Sequence, residues 1–509
     1  MNVVLVNPNL VLQKDDMFTT GIVYMPVSLA YFAAVLRDQG NAPQVIDAFG
    51  ERPDQWWSEN NLIFRGLTPA EVIGKINPDA RLVILYAIHV TYHASLLHIL
   101  RAIKREKNAP LVAVMENTQA VTAYSLRHVQ EEFYDAGADY VLTGEPEVRG
   151  MELIDALTRK DPAVVAQIDG VGFRKGGTVH YTPPARKIEN LDVLPFPAWD
   201  LFPLDHYWKL HYAHGPLSSP KYLPLLTSRG CPYPCKFCVI PETNDQKWRS
   251  KSAARVVDEI QFLSERFHVK EFHIEDVDPT IDDRRIQEMC RGLIDKKIDV
   301  RWKLCSGTKV ESIRSTETVE LMARAGCTYI SISPESGSPK VMKLINKPFN
   351  IPHAKTMIQK MSQVGIYSQA CFVLGFPGEE DADRALTRQL LVDLTRLGLD
   401  EVAIFIITPV PGSAIYGELT GYDGYSELTF SPTWRVDYKH LNRFRLRLYV
   451  LFLMNKLLYH PFKLSIQPLR FLFRRFQTKM EMVPYRALQT FFMRLGVIGH
   501  RVKVSADAH

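Results

Sequence analysis

Two series of short, continuously apolar runs, each alternating with helical stretches, do most to constrain what this 509-residue chain can fold into. The first places strands at VVLVNP (3–8), PQVIDAF (43–49), RLVILYAI (81–88), LVAVME (111–116) and DYVLTG (139–144). Strands that are apolar at every position are buried on both faces, and helices between them imply a parallel, doubly wound sheet. SLAYFAAVLRDQG is one such helix, with Gly40 placed for a C-cap. The second series runs through YLPLLTS (222–228), EFHIED (271–276), VRWKLCSG (300–307), TYISIS (328–333), ACFVLGF (370–376) and EVAIFII (401–407). Six β/α units predict an open or partial barrel. Helices such as SAARVVDEIQFLSERF bring Val256, Val257, Ile260, Leu263 and Phe267 to one face. In both architectures ligands meet the carboxyl ends of the strands. Between the two series, about residues 161–221, a stretch rich in Pro and aromatics shows no sustained period and reads as a connector.

Side-chain parity selects what faces the barrel interior. Phe272 and Ile274 leave His273 and Glu275 on the other face; Val300, Trp302 and Leu304 leave Arg301, Lys303 and Cys305. Tyr329, Ser331 and Ser333 oppose Ile330 and Ile332, with Glu335 just beyond. If the apolar sets meet the helices, the polar sets line a cavity, which a purely structural barrel would rarely carry. Lys303 and Cys305 are the weak catalytic candidates of this set, and Cys305 reads more readily as a spectator.

Composition excludes several classes. Seven cysteines, an odd number with three bunched together, argue against a secreted disulfide framework and for a reducing compartment. The opening MNVVLVNPNLVLQKDD lacks a signal-peptide pattern, and no apolar run reaches a membrane-spanning length, so a cytoplasmic location is expected. The net charge of +5 is uneven: 435–503 holds fifteen Lys/Arg against Asp437 and Glu481, and the remainder is net acidic. That basic segment, 441–496, interleaves its charges with Leu, Phe, Tyr and Met, and Pro461, Pro468 and Pro484 divide it into short helices. It suits contact with the inner face of an anionic membrane, or helices packed on the barrel with a solvated basic face. Nucleic-acid binding is not expected, since no recognition module accompanies the charge.

The chemistry-bearing motif is RGCPYPCKFCVIPE (229–242), with Cys231, Cys235 and Cys238 within eight residues. Structural zinc wants four ligands, and no second pair follows. A redox dithiol leaves one thiol unexplained. An iron–sulfur cluster with three protein ligands keeps one iron open, and the spacing favours that reading over zinc.

CPYPCKFC resembles the C-x3-C-x2-C motif of the radical S-adenosylmethionine (SAM) enzymes, with the aromatic Phe237 before the third cysteine. FHIEDVDPTID, CTYISISPESGSPKVMKLINK, FVLGFPGEEDAD and ITPVPGSAIY resemble later segments of the same family. The resemblance implies a [4Fe-4S] cluster on the three cysteines, with SAM contacts from Phe237, Glu275, Glu335, Ser336 and Gly375. It implies a 5′-deoxyadenosyl radical and a reducing partner of flavodoxin or ferredoxin type. GIVYMPVSLAYFAAVLRDQGNAPQVIDAF, ADYVLTGEPE and the connector phrase LDVLPFPAWDLFP resemble the cobalamin-binding domain often fused ahead of this barrel, the arrangement of class B methylases and the anaerobic magnesium-protoporphyrin cyclases. That places Asn9, Met115, Glu116 and Gly144 in the cobalamin region. Two departures stand against it: there is no DxHxxG motif, and VMENTQA occupies the turn where glycines admit a corrin. A relic scaffold is the alternative.

The expected fold class is therefore α/β: a Rossmann-like, cobalamin-binding-type domain (1–160), the connector (161–221), a partial (β/α)6 radical SAM barrel (222–420) and a basic, apolar helical C-terminal region (421–509). The resemblance implies a methyltransferase acting on an unactivated carbon of an apolar small molecule such as a lipid, tetrapyrrole or natural product. A cyclase, oxidoreductase or rearrangement enzyme, or a non-catalytic iron–sulfur scaffold, are the alternatives. Cys290, Cys327 and Cys371 read as core, and His89 and His93 as ordinary loop or helix-start histidines.

Overall fold

The computed structural model describes residues 1–16, 20–119 and 123–504. The chain is α/β, built on two large sheets. The first holds β1 (Val3–Asn7), β2 (Gln44–Asp47), β3 (Leu82–Ala87), β4 (Leu111–Glu116) and β5 (Tyr140–Leu142), all parallel. A hairpin, β6 (Val171–Lys175) and β7 (Thr178–Tyr181), adds two antiparallel strands, giving the order β7-β6-β5-β4-β3-β1-β2 among the described residues. The hairpin lies where the sequence indicated a connector; its polar, partly exposed strands carry no apolar run to betray them.

Alternation along the central strands feeds two cores. Val3, Leu5, Leu82, Ile84, Ala113 and Met115 belong to a core shared with the second sheet, whereas Val4, Val6, Val83, Leu85, Val112 and Val114 pack into a core of their own. The two domains are therefore fused through one apolar layer. α1 (Val27–Asp38) lies in that layer, burying Leu29, Phe32 and Leu36, and ends at Gly40 (φ +78°), where Asn41 N–H returns to the Leu36 carbonyl.

The second sheet is β8 (Leu223–Leu225), β9 (Glu271–Ile274), β10 (Arg301–Thr308), β11 (Cys327–Glu335), β12 (Tyr367–Leu374) and β13 (Glu401–Ile406), all parallel and in chain order. Its ends, β8 and β13, do not pair with each other among the described residues, so the barrel is open.

The C-terminal region differs from expectation in one respect. Pro484 does not divide it but sits inside a helix, α3 (Lys479–Arg494), which follows α2 (Tyr438–Tyr459) and two short helices, Pro461–Ser465 and Gln467–Leu472. After α3 the chain returns to the first domain, where His500–Arg501 joins a small sheet with Gln55–Glu59, Leu62–Arg65 and Leu10–Gln13.

Candidate active site

The cysteine loop is clamped from both sides. Ser228–Arg229 pairs antiparallel with Arg249–Ser250. The Arg229 guanidinium is buried against the first domain, donating to Glu147 at 2.5 and 3.1 Å, with Glu145 at 3.5 Å. Glu145 also takes Arg249 at 2.8 Å. The GEPE stretch is thus the clasp that holds the loop to the Rossmann-like domain. Gly230 (φ +79°) makes the turn into Cys231; a Cβ there would sit 2.0 Å from the Lys247 carbonyl oxygen.

Cys231, Cys235 and Cys238 carry free thiols and border one cavity. Burial pushes all three up, Cys231 to about 12; Cys235 raises Cys231 further, and both raise Cys238. Among the described residues, three potential ligand atoms fall within 4.8 Å of one another only at His273, Glu275 and Cys305. The cysteine sulfurs are therefore spread wider than the sulfurs around one tetrahedral zinc, which lie about 3.8 Å apart. That spread fits a multi-iron cluster. In the His273–Glu275–Cys305 group, His273 Nε2 bonds Glu271 and Glu275 bonds His214 Nδ1, while His273 Nδ1 is buried without a hydrogen-bond partner among the described residues.

The residues expected to seat SAM divide into two layers. Phe237, Glu275 and Glu335 line the cavity beside the cysteines. Glu335 ends β11 at φ +57°, a conformation that costs a non-glycine residue about 1 kcal/mol or more and turns its carboxylate toward Lys347, which it binds. Lys347 also lies over the Phe237 ring at 5.7 Å, and Phe237 packs on Phe376. Ser336 and Gly375 stand one layer back. The Ser336 hydroxyl meets Thr387 and accepts from Ser338 N–H; Gly375 N–H donates to Glu379 and its carbonyl accepts from Arg435. They shape the turns and do not border the cavity.

Parity placed the polar barrel residues inward, and they stack by depth. At the bottom Lys303 is fully buried, donating to Glu271 at 2.8 Å, Ser218 and the Pro216 carbonyl. It does not border the cavity; a cation this deep is kept only by its own counter-ion. Cys305 lies one residue-pair higher and does line the cavity, as does Cys371, which the sequence suggested was core. Cys290 and Cys327 are core. Above Cys305, Glu275 is bonded to His214 Nδ1 at 2.6 Å. Burial and the nearby Lys479 ammonium hold His214 below its ordinary value. The neutral ring therefore donates from Nδ1 to Glu275 and faces Lys479 Nζ with Nε2 at 3.3 Å.

The cavity, about 860 Å³, runs from the cysteines across the barrel mouth to the carboxyl edge of the first sheet. There it is bordered by Tyr24, Met25, His89, Asn117 and Gln119. His89 stacks on Tyr24 at 4.3 Å, and Tyr24 on His214 at 4.5 Å, so an aromatic file joins the two domains. His93 is structural, bonded to Tyr124 and Glu132. The four residues indicated for the cobalamin region lie off this cavity. Asn9 binds the Arg65 and Leu67 carbonyls, and Met115 is in the core. Glu116, pushed up to about 7 by burial, accepts from Leu126 and Gly144 N–H. The obstructing side chains thus point into the fold. The Asn117 amide donates back to the Ile88 carbonyl, and Ala120 of the same turn lies outside the described residues. The C-terminal helices close the remaining wall with Arg445, Tyr449, Lys479 and Arg486, which no sequence motif distinguished from neighbouring basic residues.

A three-thiol loop at the carboxyl end of an open six-stranded parallel barrel, joined to a doubly wound sheet by a shared cavity, defines the class. Residues 225–391 match the Radical SAM superfamily, so the chain carries a radical SAM domain, of a class that takes a [4Fe-4S] cluster and SAM. It is 25% identical over 411 residues to an uncharacterized methyltransferase of Pyrococcus horikoshii, covering 81% of each chain. It is 25% identical over 460 residues to the cytidylyl-2-hydroxyethylphosphonate methyltransferase of Streptomyces wedmorensis, covering 82% of this chain and 81% of that one. The fold is shared with the radical SAM methyltransferase TsrM of Kitasatospora setae, solved with cobalamin and a [4Fe-4S] cluster bound. The TM-score is 0.62 at 17% identity, over 82% of this chain and 78% of that one.

Proposed function

We propose that the protein is a cobalamin-dependent radical SAM methyltransferase acting on an unactivated carbon of a largely apolar small molecule. The observation that carries this reading is the single cavity between the carboxyl edges of both sheets, which brings the cysteine loop and the Rossmann-like edge to one space. Cys231, Cys235 and Cys238 would hold the cluster. Phe237, Glu275, Glu335 and Lys347 would border SAM, and His89, Tyr24, Asn117 and Gln119 would face cobalamin. When bound, the cluster with SAM supplies a hydrogen-abstracting radical, and cobalamin a transferable methyl group. The chain's own contribution is placement and exclusion of water: the GEPE clasp fixes the loop, Glu335 and Lys347 set charge beside it, and the C-terminal helices cover the mouth. The turn after β4 supports the reading in place of opposing it, because Met115 and Glu116 are turned inward. The relatives named methyltransferase support the reaction type.

The test is anaerobic expression with cobalamin supplied, followed by iron, cobalt and product assays with reduced enzyme and methyl-deuterated SAM. About one cobalt per chain, with 5′-deoxyadenosine and S-adenosylhomocysteine formed, is expected, and both products should vanish in Cys235→Ala. A cluster-replete protein that binds no cobalamin and forms neither product would refute the proposal.

A peripheral membrane contact belongs to the same reading. No helix among the described residues is long and apolar enough to cross a membrane. α2 and the short helices after it nonetheless expose Val450, Met454, Leu458 (72%), Phe462 (88%), Leu472 and Phe473 beside Arg443, Arg447, Arg474 and Arg475. Apolar side chains interleaved with cations suit the interface of an anionic bilayer. Co-sedimentation with phosphatidylglycerol vesicles but not phosphatidylcholine vesicles is expected, lost in Leu458→Glu/Phe462→Glu; equal recovery with both vesicle types would exclude it.

A further inference from the structure

The cavity wall formed by the C-terminal helices carries buried cations. Arg445 and Arg486 are each 5% exposed, and both border the cavity. Arg445 spends Nε and Nη2 on Asn442 Oδ1, at 3.0 and 2.7 Å, and lies 3.6 Å from Asp16. Its Nη1 is buried with no hydrogen-bond partner. Arg486 and Lys479 lie seven residues apart on α3, two turns along one face, or about 10 Å. Lys479 Nζ donates to the Cys305 carbonyl at 2.8 Å and has no carboxylate within ion-pair distance among the described residues.

The carboxylates nearby are committed elsewhere. Glu401 accepts from Tyr329, Gln369 and Met480 N–H; Glu275 is bonded to His214. Asp16, which accepts from Ser431 Oγ, lies 3.6 Å from Arg445, and Asp15 is exposed at the mouth. Arg445 Nη1 thus keeps an unmade N–H, and Lys479 has no ion-paired carboxylate among the described residues, on the wall that Arg486 also borders. A guanidinium N–H left unmade in a buried site is destabilising unless a ligand completes it. The planar fork of arginine suits a two-oxygen acceptor.

We infer that Arg445, Arg486 and Lys479 form a subsite for an acidic oxyanion group of the substrate, a carboxylate, phosphate or phosphonate, whose apolar remainder lies across the cavity toward the cysteine loop. The inference rests on the proposed function only in taking this cavity as the substrate site. It narrows the substrate class from an apolar molecule to an amphiphile with an acidic end. Tyr449, Met480 and Val483, on the same wall, supply the apolar surface next to the charges.

The test is anaerobic calorimetry on SAM-loaded holoenzyme with octyl phosphate, octanoate and the neutral counterpart octanol. At least one anion should bind tenfold or more tighter than octanol. Arg445→Gln and Arg486→Gln should each remove most of that preference, Arg445→Lys should keep part of it, and Lys479→Met should weaken it. The inference is overturned if neither anion is preferred by more than threefold in the wild type, or if folded Arg445→Gln and Arg486→Gln both retain the preference. Should both arginine variants fail to fold, the wild-type comparison and Lys479→Met still decide. Wild type that cleaves SAM but shows no anion preference sinks this inference alone. Anion preference without SAM cleavage sinks the proposed reaction alone.

Discussion

Replacing Glu147 by Gln tests how the cysteine loop is held. The Arg229, Glu145 and Glu147 side chains are 4% exposed or less, and Glu145 is shared with Arg249. The wild-type clasp therefore sets two carboxylates against two buried guanidiniums. Glu147→Gln keeps the volume and one acceptor but leaves two cations on one carboxylate. Breaking a buried ion pair on one side costs roughly 3–5 kcal/mol, because the remaining charge stays desolvated. Domains of 150–250 residues lose about 2–4 °C per kcal/mol, so the apparent Tm should fall on the order of 10 °C. The assays are thermal unfolding under anaerobic conditions and iron content after reconstitution, which should fall because Arg229 enters the loop two residues before Cys231. A double-mutant cycle separates the pair from its surroundings. Arg229→Met/Glu147→Leu, which removes both charges, should recover much of the loss suffered by either single variant. A Glu147→Gln protein within about 1 kcal/mol of wild type, or a cycle showing no coupling, would refute the argument that this clasp carries the loop.

Gly230→Ala should be more damaging to cluster loading than to overall helix content. The added Cβ would meet the Lys247 carbonyl oxygen at 2.0 Å in a left-handed backbone, so reconstituted iron per chain should drop while far-UV circular dichroism changes little. Glu401 provides a pH test. Burial raises it to about 7, so the folded state binds a proton that the unfolded state releases at a lower pH. Its contribution is fully present below the unfolded value near 4.5 and is lost as pH rises through about 7. Glu401→Gln, which stays uncharged, should flatten the decline in Tm between pH 5 and 8; an unchanged slope would count against it.

Much of the fold was legible because continuous apolar strands and helical periods are local signals. β4 was marked residue for residue, and the six barrel strands all lie where the apolar runs indicated, within a few residues. The hairpin β6–β7 and the small sheet were not legible, since short polar strands are made by the edges they join. The site divides the same way. Cys231, Cys235, Cys238 and Phe237 fall within eight residues and announce themselves; side-chain parity correctly sent Glu275, Cys305, Ser331 and Glu335 inward. Parity carries no depth, however, so it could not separate Lys303, neutralised by Glu271 at the barrel floor, from Cys305 at the cavity.

What the sequence by itself determined is how the reactive loop is built, because metal ligation by a short loop is written in spacing. The tertiary structure alone decided what surrounds it. GEPE became a clasp only when Arg229 arrived from 82 residues away along the chain, and Lys479 met His214 only when α3 folded back across 265 residues. Charges in a sequence are counted one by one. Their burial, pairing and shared cavity depend on distances between remote segments, and those exist only in the folded chain.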